Sequence, residues 1–213
     1  MDIPAFIVDL RNQLQKPLPG KPFQLKMSSQ RRIREMMSGI DTTRAVRSSV
    51  LLLLYPSANR DSLLFSLIQR PEYDGVHSGQ ISLPGGRFEP EDTSYAATAL
   101  RESREEVGID PETVDLIGEL SELYIPPSNF VVYPFVGYAE ERPSFLPDKK
   151  EVEKIIEAGL NDLMEDSNIK TKRIHVRSGI TVTAPCFVIE GNIIWGATAM
   201  MLSEFREIVK RIV

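Results

Sequence analysis

The chain is poor in the features that would place it outside the ordinary soluble enzymes. It has one cysteine in 213 residues, Cys186, so no intrachain disulfide can form. That absence fits a reducing compartment and sets the expectation of a cytoplasmic protein. Cys186 lies in the apolar run Ala184-Pro185-Cys186-Phe187-Val188-Ile189 and reads as a small buried hydrophobe rather than a nucleophile. The longest aliphatic run, Val50 to Leu54, is far too short to cross a bilayer, which argues against a membrane partner. The N-terminus lacks a basic stretch followed by an apolar one, so no signal peptide is expected, and the final Lys210-Arg211-Ile212-Val213 is no peroxisomal address. Internal repeats, low-complexity stretches and a dividing linker are also missing. Basic charge is not in excess either, with 25 Lys and Arg against 30 Asp and Glu. A net charge of -5 argues against a nucleic-acid partner, which needs a basic surface to neutralise phosphates. It does not argue against a small phosphorylated ligand, because bound divalent cations reverse the local sign of a site.

What remains is a composition with 42% hydrophobic and 26% charged residues, long enough for one sizeable core. Ile3 to Leu14 and Ser29 to Met37 read as helices around the breaker cluster Pro17 to Pro22. Val46 to Tyr55 reads as a buried strand stopped by Pro56, and Leu63 to Gln69 as its hairpin partner across a turn at Ser57 to Asp61. Pro71 to Gly86 is a glycine-rich loop in which only Ile81-Ser82-Leu83 can pair. Thr93 to Val107 has helical spacing in Ala96, Ala99, Leu100, Ser103 and Val107, with Asp92 or Thr93 to cap it and Gly108 to end it.

Thr113 to Leu123 and Val131 to Ala139 read as strands on either side of the Ile125 to Asn129 loop. Glu151 to Met164 reads as a helix broken at Gly159. Ile174 to Val176, Val182 to Ile189 and Asn192 to Trp195 read as strands, the last two joined by a turn at Glu190-Gly191. Met200, Met201, Phe205, Ile208, Val209 and Ile212 line one face of a terminal helix. Adjacent strands and hairpins break strict strand–helix alternation, so the expected fold is α/β with helices on both sides of a mixed sheet.

One segment carries chemistry. On a helix, Glu102 lies one turn from both Glu105 and Glu106, so three carboxylates share a patch. Each like-charge pair costs about 0.2–0.5 kcal/mol at an exposed site. Bound hard cations such as Mg²⁺ would turn that cost into a site suited to phosphate ester or anhydride chemistry. A solvated acidic helix face is the plainer reading, since Arg101 and Arg104 are interspersed. The Gly85-Gly86 turn at fixed distance before the helix, and small residues on its other face, are features that a merely solvated helix does not need.

The stretch from Gly86 to Ile109 resembles the Nudix box. Arg101-Glu102-Ser103-Arg104-Glu105-Glu106-Val107-Gly108-Ile109 matches its second half. The first glutamate of the motif is Asp92 here, with eight residues instead of seven before Arg101, and Ser103 replaces a bulky apolar residue. The longer spacing is similar to that of the coenzyme A diphosphatase branch. So is the preceding segment, with Leu67-Ile68-Gln69-Arg70, then Gly79, then Leu83-Pro84-Gly85-Gly86. That signature has a second arginine where this chain has Gly75. Ile194 to Ala199 also resembles the same branch, with Trp195 as core or pocket wall. The resemblance spans about residues 45 to 212.

The resemblance implies a Nudix-like α/β/α sandwich over residues 45–213; residues 1–44, which it does not cover, are expected as a helical extension packed on the same domain. It implies Mg²⁺ or Mn²⁺ as cofactor, held by Glu102, Glu105 and Glu106, and Arg101 holding those carboxylates through charged pairs. Gly85 and Gly86 would bring backbone close to a diphosphate, with Arg70, Arg87 and His77 as further substrate contacts. Asp92 would serve as a supporting or capping carboxylate. The base that orients the attacking water would be Glu106 or, by preference, Glu151, while Glu153 and Glu157 read as helix surface. The Pro126 to Phe130 loop is either a rigid connection or the wall of a pantetheine groove.

The implied activity is hydrolysis of a small-molecule nucleotide, coenzyme A or acyl-coenzyme A, to 3′,5′-ADP and (acyl-)4′-phosphopantetheine. ADP-ribose, NADH or another nucleoside diphosphate derivative is the alternative within the enzyme class. A non-catalytic nucleotide sensor on the same fold and a hydrolase of RNA ends are the others. A homodimer is compatible with the family.

Overall fold

The computed structural model of the protein describes residues 2–30, 32–33, 42–72, 78–175 and 181–212. Gly75 and His77, most of the helix expected over Ser29 to Met37, and Val176 lie outside the described residues. None of the described helices is long and apolar enough to cross a membrane.

The centre of the molecule is an eight-stranded mixed sheet. Its long strand β1 (Val46–Pro56) runs parallel to β7 (Phe130–Tyr138) from Val46↔Phe130 to Leu54↔Tyr138. On its other side β1 pairs antiparallel with β2 (Leu63–Gln69), closing the hairpin read from the sequence. It also pairs with the short β4 (Gly85–Arg87), where Ser49 faces Gly86 and Val50 faces Gly85. The two-residue β3 (Ile81–Ser82) pairs with β2, and β5 (Asp115–Glu119) and β6 (Leu123–Ile125) both pair with β7. The single strand expected over Thr113 to Leu123 is therefore two strands, with a bulge between Leu116 and Gly118 and a break before Leu123.

The segment expected as a helix from Glu151 starts instead as a strand. β8 (Lys154–Gly159) pairs antiparallel with β2 from Gln69↔Lys154 to Leu64↔Gly159, and only α4 (Leu160–Met164; numbering the helices in chain order) is helical. The spacing of Ile155, Ile156, Leu160 and Leu163 suits either period. Sheet pairing decides it, because β2 would otherwise expose an unpaired edge. A second, antiparallel sheet consists of β9 (Ile169–His175), β10 (Thr181–Ile189) and β11 (Asn192–Trp195). The strand expected at Ile174 thus begins five residues earlier.

Side-chain alternation along β1 sorts the core into two layers. Leu52 and Leu54 face a large cluster that takes in α1 (Ile3–Leu14) and α5 (Gly196–Val209), with Phe6, Leu10, Met200 and Phe205 buried in it. Leu51, Leu53 and Tyr55 face the opposite way, onto Ala99 and Val107 of α3 (Tyr95–Val107). The short helix α2 (Lys21–Gln24) packs on α5. Helices thus cover both faces of the mixed sheet, as the sequence led one to expect, and Cys186 is buried and unpaired.

Candidate active site

α3 and the strand β4 make the site together. The helix begins at Ser94, whose hydroxyl accepts the Ala97 N–H at 3.1 Å, not at Asp92 or Thr93 as expected. It ends at Gly108, in the left-handed region at φ 74°, where the expected cap is found. Ser103, the departure from a bulky residue, is fully buried and donates its hydroxyl to the Ala99 carbonyl at 2.7 Å, so the helix packs close to the sheet.

The Gly85-Gly86 turn meets the helix where no side chain would fit. Gly85 has φ 147°, and a Cβ on it would lie 2.2 Å from the Ser49 carbonyl oxygen. A Cβ on Gly86 would lie 2.4 Å from the Glu102 carboxylate. Glu102 therefore rests directly on the backbone at Gly86. Glu106, one turn further, is 2% exposed; its Oε2 accepts the Gly85 N–H at 2.8 Å and its Oε1 accepts from Arg70 Nη2 at 3.2 Å. Arg70 also donates to the Gly85 carbonyl at 3.3 Å, so in this arrangement it braces the turn and Glu106.

Burial pushes the Glu106 carboxyl up to about 7, against the opposing pull of Arg70 and the Gly85 N–H, and the charges of Glu102 and Glu151 push the same way. Burial raises Glu102 too, against Arg101.

Spacing made the three glutamates equals; their surroundings do not. Glu105 is 60% exposed on its side chain and pairs with Arg101 Nη1 at 3.0 Å. It borders an open depression of about 540 Å³ on the outer side of α3, with Ala97, Leu100, Arg104 and Pro111. Arg101 is the hub. It grips Asp92 with two bonds, Nε to Oδ1 at 2.9 Å and Nη2 to Oδ2 at 3.0 Å, and pairs with Glu102 at 3.1 Å. Its Nη2 also donates to the Arg87 carbonyl at 2.9 Å, tying the helix to β4. Asp92 further accepts from the Thr98 hydroxyl at 2.8 Å and the Glu89 N–H at 3.0 Å. The Arg101 guanidinium holds Asp92 well below the usual carboxylate range. Asp92 is therefore the clamp for Arg101 and not a helix cap.

Glu151 arrives from elsewhere in the chain. The Leu146 N–H donates to the Val107 carbonyl and the Asp148 N–H to the Glu106 carbonyl, both at 2.9 Å, so the segment after β7 lies over the end of α3. A turn follows in which Glu151 and Val152 donate to the Asp148 carbonyl at 3.0 and 2.8 Å. Glu151 is exposed, and its charge acts on both Glu102 and Glu106. Arg87 is exposed with its guanidinium 5.3 Å from the Phe130 ring centre, beside the site but not in contact with its carboxylates. Glu157, expected on a helix surface, lies on β8 and binds Arg142 and Tyr55. The sequence offered no signal for that contact, because its partners are 15 and 102 residues away.

A family model described as the NUDIX domain matches residues 45–176. The chain belongs to the Nudix family. Its relatives include proteins named "Uncharacterized Nudix hydrolase NudL" from Yersinia enterocolitica and Yersinia pestis. Each is 33% identical over 150 residues, covering 70% of this chain and 76% or 74% of the relative. Among solved structures, the Nudix hydrolase RenU from M. smegmatis aligns with a TM-score of 0.54 at 16% identity, over 79% of this chain and 88% of its own. A MutT/nudix family protein from Enterococcus faecalis aligns at 0.53 and 16%, over 88% and 72%. At such identities these structures show the shared fold alone.

Nudix membership raises the question of a divalent cation. Among the described residues, no three acidic, histidine or cysteine side chains are drawn together into a chelating group. The chemistry of the donors nevertheless fits. Glu102 and Glu106 are hard oxygen donors whose ionised forms are opposed by burial and by neighbouring carboxylates, Glu105 and Glu151 for Glu102 and Glu102 and Glu151 for Glu106, and a bound cation would relieve both.

Proposed function

We propose that this chain is a Nudix hydrolase that cleaves the diphosphate bond of coenzyme A or acyl-coenzyme A, giving 3′,5′-ADP and (acyl-)4′-phosphopantetheine, with Mg²⁺ or Mn²⁺ held by Glu102, Glu105 and Glu106. The observation that carries the reaction type is the pair of carboxylates, half-buried Glu102 and buried Glu106, set against the backbone of Gly85 and Gly86. Support for the coenzyme A class comes from the residues around the turn, from Leu67 to Arg70, Gly79 and Leu83 to Gly86, together with the eight-residue spacing from Asp92 to Arg101.

When bound, the cation neutralises diphosphate oxygens and stabilises the leaving phosphate. The protein's own groups do the rest. Gly85 and Gly86, without side chains, let Glu106 and Glu102 close directly on the main chain of β4. Arg101 fixes the direction of Glu102 from behind, and Arg70 does so for Glu106. Glu151 accepts a proton from the water as its oxygen bonds to one phosphorus, and the bond from that phosphorus to the bridging oxygen breaks. The second phosphate leaves with that oxygen, so one water and one diphosphate become two phosphomonoesters.

Gly75 in place of an arginine favours a second reading, in which ADP-ribose or NADH is the substrate, since an arginine fork suits a 3′-phosphate. A sensor without catalysis has no need of three retained carboxylates. Mass spectrometry of products from coenzyme A, an acyl-coenzyme A, ADP-ribose and NADH, each with Mg²⁺, separates these. Preferential release of phosphopantetheine and 3′,5′-ADP is expected. Turnover confined to ADP-ribose or NADH would overturn the substrate and keep the mechanism.

A further inference from the structure

Residues 140–153 join β7 to β8 without a helix or strand of their own, and they carry Glu151. A connection of this length needs anchors if a side chain on it is to act at a fixed place. The far end is anchored by main-chain bonds from Leu146 and Asp148 to the end of α3 and by Glu153 N–H to the Gln69 carbonyl at 2.9 Å. The near end is anchored by side chains. Arg142 places its fork on Glu157 of β8, Nε to Oε2 at 2.8 Å and Nη2 to Oε1 at 2.6 Å. The Tyr55 hydroxyl, reaching out of the core from β1, donates to Glu157 Oε2 at 3.1 Å. Phe145 lies under the Arg142 guanidinium at 5.4 Å and meets the Tyr55 ring edge-on at 5.8 Å.

We propose that Arg142, Glu157 and Tyr55 form a latch that fastens the 140–153 segment over the end of α3 and so holds Glu151 toward Glu102 and Glu106. Arg142 and Glu157 are then positioning residues for the hydrolysis, and this rests on Glu151 acting as the base in the function proposed above. A two-point guanidinium–carboxylate fork fixes direction as well as distance, which a lysine would not. Burial, and the adjacent Glu157 charge, keep the Tyr55 hydroxyl protonated and thus a donor. The pair itself is half exposed, 48% for Arg142 and 28% for Glu157, so it adds little to global stability. Its loss should read in the order of the segment and in turnover, not in melting.

The test uses the full chain with Arg142→Ala, Glu151→Gln, both together, and the reversed pair Arg142→Glu with Glu157→Arg. Amide hydrogen exchange is followed at Leu146, Asp148, Glu151 and Val152. The steady-state constants are measured with Mg²⁺ and whichever of the four compounds above is turned over. Arg142→Ala should speed exchange at those amides and lower kcat by between about tenfold and a hundredfold, as expected for a displaced catalytic group. KM should change by less than about twofold, and the melting temperature by less than about 2 °C. On the Glu151→Gln background the same change should cost no further activity, and the reversed pair should restore much of kcat. Unchanged exchange in Arg142→Ala would overturn the latch whatever the activity. Losses that multiply in the double variant would overturn positioning through Glu151. A wild type inert on all four compounds would overturn the functional reading and the catalytic half of this proposal, while exchange would still decide whether the latch exists.

Discussion

At position 86 a single methyl group would collide with the Glu102 carboxylate at 2.4 Å, the far end of a side chain that can swing aside. Gly86→Ala should therefore cut kcat by about a hundredfold by displacing Glu102, while costing less than about 1 kcal/mol of stability, because the carboxylate yields instead of the core. Paired activity and urea-unfolding measurements check both. Asp92 gives the pH dependence. Its bonds to Arg101 depress it, so its stabilising contribution is full above the unfolded carboxylate pKa of about 3.9 and is lost as pH falls toward its folded value. Asp92→Asn should lose about 2 kcal/mol at pH 7, and the gap from wild type should narrow by pH 3. A gap that widened on acidification would contradict the assignment. Residue by residue, the sequence located the carboxylates but could not rank them. The i, i+3, i+4 rule places Glu102, Glu105 and Glu106 on one patch; only the position of β4 and Arg70 buries Glu106 and leaves Glu105 in solvent.

Among elements, α3 was legible almost to its ends because its pattern is local: small residues on the packed face, a glycine stop, a polar start. Its first turn was misplaced because Asp92 and Thr93 both look like acceptable caps in isolation, while the long-range pull of Arg101 takes Asp92 away and leaves the start to Ser94. Ser94→Ala should lower stability by about 1 kcal/mol, measurable by thermal melting, whereas Thr93→Ala should leave it unchanged. β8 was illegible for the opposite reason. Lys154 to Gly159 has spacing that suits either period, and it becomes a strand only because β2, nearly 90 residues earlier, offers it an edge. The same non-local origin hides the Arg142–Glu157 contact, which depends on that strand being there.

In the whole molecule, the described helices before the Nudix match pack against the core and the last helix. α1 buries Ile3, Phe6, Ile7, Leu10 and Leu14 in the larger core, worth about 10 kcal/mol by area. That is comparable with the entire stability of an ordinary domain. Glu204 of α5, fully buried, accepts from Gly20 N–H, Gln24 Nε2, Ser121 N–H and the Ser121 hydroxyl, and so joins this segment to the β5–β6 connection and the last helix. Removing residues 1–44 should therefore abolish the folded state, and Glu204→Ala should cost about 3 kcal/mol by stranding those donors; circular dichroism melts report both. A truncated chain that melted cooperatively near the wild-type temperature would show the segment to be dispensable.

A metal-dependent diphosphatase is tested most directly by a ³¹P NMR time course of coenzyme A with Mg²⁺ and the full chain, run beside Glu106→Gln and a chelator-treated sample. Loss of the diphosphate resonances and growth of two new phosphomonoester resonances are expected in the wild type alone. Equal conversion by the Glu106→Gln variant, or conversion untouched by the chelator, would contradict a metal-dependent site built on the carboxylates of α3.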